Sequence, residues 1–95
     1  MKLTWSKAAL NDLLELGTYI GQDSLDAALR VEKLVHATAR LISDFPRLGR
    51  IGRVAGTRER VVRNTPYILA YKIARGKVRI LRVYHGKRRW PLRVD

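Results

Sequence analysis

The sequence predicts an α+β domain, in the order βααβββ, with an antiparallel helical hairpin on one face of a small antiparallel sheet; residues 1–95 read as a single domain. Three observations point there. Apolar residues recur at three- and four-residue spacing over most of residues 7–45, a Gly- and Arg-rich stretch at 47–56 breaks that period, and runs rich in Val, Ile, Leu and Tyr follow it.

A short apolar-polar alternation at Lys2–Trp5 predicts a strand. Ser6 then offers its hydroxyl as the N-cap of a helix over about Lys7–Gly21, whose Leu10, Leu13, Leu14, Gly17 and Ile20 share one face. Asp23 and Ser24 supply the next cap. From Leu25 to Phe45, Ala28, Val31, Leu34, Val35, Thr38, Leu41, Ile42 and Phe45 repeat at the same period, and Pro46 ends the helix. The few residues between the helices require an antiparallel hairpin. RLGRIGRVAG at 47–56 has no apolar periodicity and reads as a flexible basic connector; it lacks the Lys-Ser/Thr ending of a phosphate-binding loop. Strands are expected at Arg58–Arg63, Tyr67–Ile73 and Lys77–Tyr84, with Thr65-Pro66 and Arg75-Gly76 as turns. In the second of these, Tyr67, Leu69, Tyr71 and Ile73 share one face, and Ile68, Ala70 and Lys72 the other.

Charge is segregated along the chain. The net charge is +12, yet residues 1–44 hold five Lys/Arg against six acids, whereas residues 45–95 hold fifteen against Glu59 and Asp95. Such one-signed crowding opposes compaction, so a polyanionic partner, nucleic acid or a strongly acidic protein, is the economical explanation. The chain has no cysteine, which excludes disulfides and thiolate metal ligation and suits a reducing cytoplasm. No apolar run approaches membrane-spanning length, so a soluble cytoplasmic protein without a membrane partner is expected. With two histidines and no metal-ligand spacing, no metal or other cofactor is expected either.

The chemistry that remains lies in RVYHGKRRWP at 82–91. His85 ends the last predicted strand, with Arg79 and Arg82 before it and Lys87, Arg88 and Arg89 after it. An imidazole that moves protons, beside cations that stabilise a phosphorane, is what cleavage of RNA by its own 2′-hydroxyl requires. A strand-terminal histidine that bonds the backbone would look the same in sequence. Trp90 is placed either to pack or to stack on a base. Arg58 and Arg60 alternate onto one face of the first C-terminal strand and Arg63 onto the other. With Arg50, Arg53 and Arg79 they suggest a continuous basic surface for a phosphate backbone or an acidic peptide. His36, inside the second helix, is assigned no role.

Read together, WSxxAxxDLxxLxxYI at 5–20, the Ala pair at 27 and 28, DFPRLGR at 44–50, GTRERVV at 56–62, PYILAYKI at 66–73 and VRILRVYHGKRRWP at 78–91 resemble the RelE/ParE superfamily of bacterial type II toxin-antitoxin toxins. The resemblance spans nearly the whole chain. It implies a growth-arresting toxin neutralised by a cognate acidic antitoxin in a hetero-oligomer, with DNA gyrase (ParE-like) or the ribosome and its mRNA (RelE-like) as target. For a nuclease, it implies His85, Lys87 and Arg88 as catalytic. For a binding toxin, it implies Arg58, Arg60, Arg63, Arg79, Arg82, Arg89 and Trp90 as the contact surface. The long second helix and DFPRLGR favour the ParE-like side, and GKRR the RelE-like side. The tail WPLRVD lacks the tyrosine or histidine that RelE-like nucleases place near their C-terminus. A basic nucleic-acid-binding module or a basic adaptor without toxicity also fits the charge.

Overall fold

Two serine hydroxyls start the helices. Ser6 accepts the Ala9 N–H at 2.9 Å and opens α1 (Lys7–Gly21), and Ser24 accepts the Ala27 N–H at 3.1 Å and opens α2 (Leu25–Asp44). The computed structural model describes residues 1–87. The strands are β1 (Lys2–Trp5), β2 (Arg50–Ile51), β3 (Arg58–Val61), β4 (Tyr67–Ala74) and β5 (Lys77–His85), arranged in one sheet in the order β1-β5-β4-β3-β2.

The α+β class and the helical hairpin are as expected, but two features of the sheet differ. It is mixed: β1 runs parallel to β5, pairing Leu3 with Val78 and Trp5 with Ile80, while the other pairings are antiparallel. The helical hairpin makes this possible, because it carries the chain away from β1 and returns it to the far side of the sheet. The segment at 47–56 is not a flexible connector. It contains β2 and closes on itself through Gly52 N–H to Thr57 C=O at 2.8 Å and Thr57 Oγ1 to Val54 C=O at 2.6 Å. Its geometry rests on hydrogen bonds to a distant strand, which local periodicity does not encode.

β4 divides its side chains as its alternation requires. Leu69 and Tyr71 enter the main core with Val78, Ile80 and Val83 of β5, Ala9 and Leu16 of α1, and Val35, Ala39 and Ile42 of α2. Ile68 and Ala70 join Tyr84 in a second buried cluster on the opposite face. The apolar face expected for α1 is rotated in the structure, with Leu13 and Ile20 packed against the core as expected but the rest of the set not. Leu10 and Leu14 are 52% and 69% exposed, whereas Ala9, Asp12 and Leu16 are buried. In α2, Leu41 and Phe45 are likewise exposed.

Asp12 explains the rotation. β1 covers only the first half of β5, and a register shift lies where Ala70 pairs with Arg82 but Tyr71 pairs with Ile80, so Leu81 is an extra residue. Ser6 serves the backbone there, taking the Ile80 carbonyl with its N–H at 2.9 Å and the Leu81 carbonyl with its hydroxyl at 2.8 Å. Just beyond, the Asp12 carboxylate accepts the Val83 N–H at 3.0 Å and both Nε and Nη2 of Arg82, at 2.7 and 2.9 Å. The pair is nearly enclosed, the side chains of Arg82 and Asp12 being 14% and 6% exposed. A buried acid with three donors replaces the strand that β5 lacks.

Candidate functional site

The β4–β5 hairpin separates two surface regions, one at each end. Tyr67 opposes His85 at the near end, Ile73 opposes Val78 at the far end, and six residues of strand put about 20 Å between Tyr67 and Ile73.

At the near end, a cleft of about 520 Å³ is lined by Glu15 and Tyr19 of α1, Tyr67 of β4, and His85 and Lys87. Tyr67 meets His85 edge to face, their ring centroids 5.7 Å apart and their planes at 80°. Burial, helped by the nearby Tyr19, pushes the Tyr67 phenol above its usual range, which keeps it neutral and a donor. His85 Nδ1 accepts the backbone N–H of Lys87 at 3.1 Å. In the neutral ring that bond places the proton on Nε2. Between His85 and Lys87, Gly86 donates its N–H to the Pro66 carbonyl at 2.7 Å and lies close against it. A Cβ on Gly86 would meet the Pro66 carbonyl at 3.3 Å.

At the far end, Phe45, Leu48, Ile51 and Ile73 line a groove of about 780 Å³ together with Arg47 and Arg58. Its floor is tied down by Tyr71. The Tyr71 hydroxyl donates to the Pro46 carbonyl at 2.7 Å and accepts the Gly49 N–H at 2.9 Å, so one core phenol holds the chain that leaves α2. Gly49 lies so close to the Tyr71 ring and the Glu59 carbonyl that no Cβ fits. Arg58 adds a bond from Nη1 to the Gly49 carbonyl at 2.7 Å.

The arginines do not form one continuous surface. Arg58 and Arg60 oppose Tyr71 and Leu69 and so lie on the helix-bearing face. Arg79 opposes Lys72 on the other face and shares a shallow hollow with Lys72 and Lys77. Arg63 lies past the end of β3, exposed in the turn that leads to Tyr67. Arg82 is committed to Asp12, which raises its already high pKa further, and it serves the fold from where it stands. Arg88, Arg89 and Trp90 lie outside the described residues. His36 packs beside Trp5, with ring centroids 5.3 Å apart.

Sequence reasoning missed Glu59. It is almost fully buried, accepts Arg50 Nη2 at 3.0 Å and the Arg53 N–H at 2.9 Å, and fastens β2 and its loop to β3. Burial raises its pKa, but the Arg53 N–H and the Arg50 and Arg53 guanidiniums outweigh that and hold the carboxyl below its usual range. Burial and the Glu59 carboxylate together push the Tyr84 phenol up to about 12. The available signal was its isolation: Glu59 is the one acid between Asp44 and Asp95.

Among the described residues, no cluster of three or more His, Cys, Asp or Glu side chains is placed to hold a metal ion, and no helix is long and apolar enough to cross a membrane.

The sequence profile of the ParE toxin of type II toxin-antitoxin systems (parDE) matches residues 3–90. The chain belongs to the ParE toxin family. This toxin is 40% identical over 90 residues to Y4kP of Sinorhizobium fredii, a protein named as a candidate toxin, covering 95% of this chain and 93% of that one. It is 37% identical over 87 residues to Toxin RelE2 of Caulobacter vibrioides, covering 92% of this chain and 97% of the relative. Its fold matches a chain from the chromosomal ParDE system of P. aeruginosa with a TM-score of 0.79 at 20% identity, over 90% of this chain and 95% of the other. Family membership makes it the toxin half of a toxin-antitoxin pair, with an antitoxin as partner.

Proposed function

We propose that this toxin arrests growth in the cytoplasm by gripping and poisoning DNA gyrase, without cutting RNA, and that residues 1–95 act as one domain held in check by an acidic antitoxin. The observation that carries this reading is the state of His85. Its Nδ1 is occupied by the Lys87 N–H, and its ring is braced against Tyr67. A general base must present an unprotonated nitrogen to the 2′-hydroxyl, and in the neutral ring the nitrogen without a proton, Nδ1, is taken by the Lys87 N–H. The near end is a surface that donates and attracts, with Lys87 lining the cleft, Arg63 exposed in the turn before Tyr67, and Arg88 and Arg89 following in sequence. Match to the ParE profile supports the same target class.

The second reading is a ribosome-dependent endoribonuclease. The meeting of His85, Tyr67 and Lys87 in one cleft favours it, as does the name of the Caulobacter relative. The test is to incubate the purified toxin with gyrase, supercoiled plasmid and ATP, then look for toxin-dependent linear DNA after detergent and protease treatment. Linear product is the expected result. Its absence with toxin that arrests growth, together with mRNA cut in the ribosomal A site, would replace the gyrase reading with the nuclease.

A further inference from the structure

The helix-free face of the sheet carries a charge cluster that the near-end grip does not use. Val78 and Ile80 enter the core, so Lys77 and Arg79 leave β5 on the other face, joined there by Lys72 and Ala74 of β4 and by Lys2 and Thr4 of β1. Thr4, Lys72, Ala74, Lys77 and Arg79 line a hollow of about 250 Å³. Lys72 stands directly opposite Arg79, and Lys2 directly opposite Lys77. Like charges set opposite one another weaken a sheet. Elsewhere on this face the opposed pair is Arg50 with Glu59, of unlike charge and in contact at 3.0 Å.

Nothing within the fold relieves the cluster. Lys2, Lys72, Lys77 and Arg79 are exposed, and among the described residues none of these four side chains makes an ion pair or a hydrogen bond. Glu59 shares the face but is buried and held by Arg50 and Arg53, while Asp44 lines the far-end groove with Met1 and Arg58 on the helix-bearing side. Residues 88–95 add three arginines against Asp95 in sequence. Four cations thus span three adjacent strands about 4.8 Å apart, with Lys77 and Arg79 about 7 Å apart along β5.

We infer that this face binds the phosphate backbone of duplex DNA without regard to sequence, through Lys2, Lys72, Lys77 and Arg79. Side-chain type selects the occupant. The residues lining the hollow include no aromatic ring on which an unpaired base would stack, and their one apolar side chain, Ala74, is too small to anchor a peptide. A duplex presents its phosphates outward and needs neither. The choice of DNA over another duplex rests on the gyrase reading. The near-end cleft is built on α1 and the helix-bearing face, so a toxin gripping gyrase there keeps its helix-free face for the DNA that gyrase holds.

The test measures binding of the full-length toxin, alone, to a labelled DNA duplex of mixed sequence by fluorescence anisotropy over a series of salt concentrations. Lys72→Thr/Arg79→Thr removes one opposed pair, Lys2→Thr/Lys77→Thr removes the other, and Arg30→Ala/Lys33→Ala takes the same charge from α2. Thermal melting shows which variants are folded, and having two in the sheet keeps the test decisive if one is not. Each sheet variant is expected to bind about tenfold more weakly at about 0.1 M salt, and to reduce the slope of log affinity against log salt by about 2. The α2 variant should stay within about threefold of wild type with its slope unchanged. Equal weakening by all three variants would mean that net charge alone attracts DNA, and overturns the site. Wild-type affinity in a folded sheet variant, or no duplex binding by wild type at low salt, overturns it too. Single-stranded DNA, duplex RNA or poly-glutamate bound more tightly than the DNA duplex overturns the choice of occupant. Linear DNA formed with gyrase is read separately. Its appearance without duplex binding removes this site and leaves the gyrase reading standing, whereas duplex binding without linear product keeps the site and removes that reading.

Discussion

The two ends of the β4–β5 hairpin solve the same problem with different chemistry. At the near end, an unpaired stretch of β5 is satisfied by charge, through Asp12 with Arg82 and the Val83 N–H. At the far end, the chain leaving α2 is satisfied by a neutral phenol, through Tyr71 with Pro46 and Gly49. The near end therefore depends on a buried ion pair that fails badly if halved, and the far end on ordinary hydrogen bonds that fail gently. Functionally, a polar anchor beside His85 keeps a donor-rich cleft in place, and a neutral anchor beneath Phe45 and Ile51 keeps an apolar groove open.

The largest expected effect comes from halving the ion pair. Asp12→Ala strands the Arg82 guanidinium and the Val83 N–H in a nearly enclosed site, and should cost about 3–5 kcal/mol in urea unfolding. A loss below about 1 kcal/mol would mean that the near end is not held by charge. Tyr71→Phe removes both groove hydrogen bonds while keeping the ring, and should cost about 1–3 kcal/mol and speed exchange of the Gly49 amide. Unchanged exchange there would break the distinction between the two anchors.

Glu59 sharpens the comparison through pH. Its folded-state pKa is lowered, so its contribution is fully present above the unfolded value of 4.5 and is lost as pH falls through the lower folded value. Wild type should lose stability more steeply below about pH 4.5 than Glu59→Gln, measured by thermal melting across that range. His85→Ala should leave growth arrest within about twofold at matched expression if the near end only grips; a loss of about a hundredfold is what a general base would give. The smallest effect is expected at the hairpin tip joining the two strands, where Arg75 and Gly76 have φ of 53° and 73°. Arg75→Asn suits that turn better and should raise stability by about 0.5 kcal/mol while leaving the Asp12 and Tyr71 anchors untouched.

Most of the architecture was legible because it is local. The caps at Ser6 and Ser24, the spans of α1 and β1, and the alternation of β4 follow from residues within a few positions of one another. What could not be read depends on partners far away in sequence. The parallel β1–β5 pairing, the extra Leu81 and the two-residue β2 have no local signature. The α1 face was legible only in part, at Leu13 and Ile20, because periodicity counts apolar residues and so cannot see that Asp12 is drawn inward by Arg82. The candidate site was legible as composition only. Alternation separates Arg58 from Arg79 once their pairing is known, but neither Arg82's commitment to Asp12 nor the Lys87 bond that fixes the His85 ring is written in residue spacing.

The pairing of β1 with β5 also bears on the order of events at synthesis. Ser6 reaches Leu81 across 75 residues, and among the described residues β1 has β5 as its one neighbour in the sheet. While the chain is being made from its N-terminus, its first strand and the capped start of α1 wait for β5, the last of the described strands, to emerge. The helical hairpin can form early, but the sheet that anchors it closes only once β5 has been made. The toxin's fold is therefore completed only after β5 has been made, and until then β1 and the start of α1 stand without their partner strand.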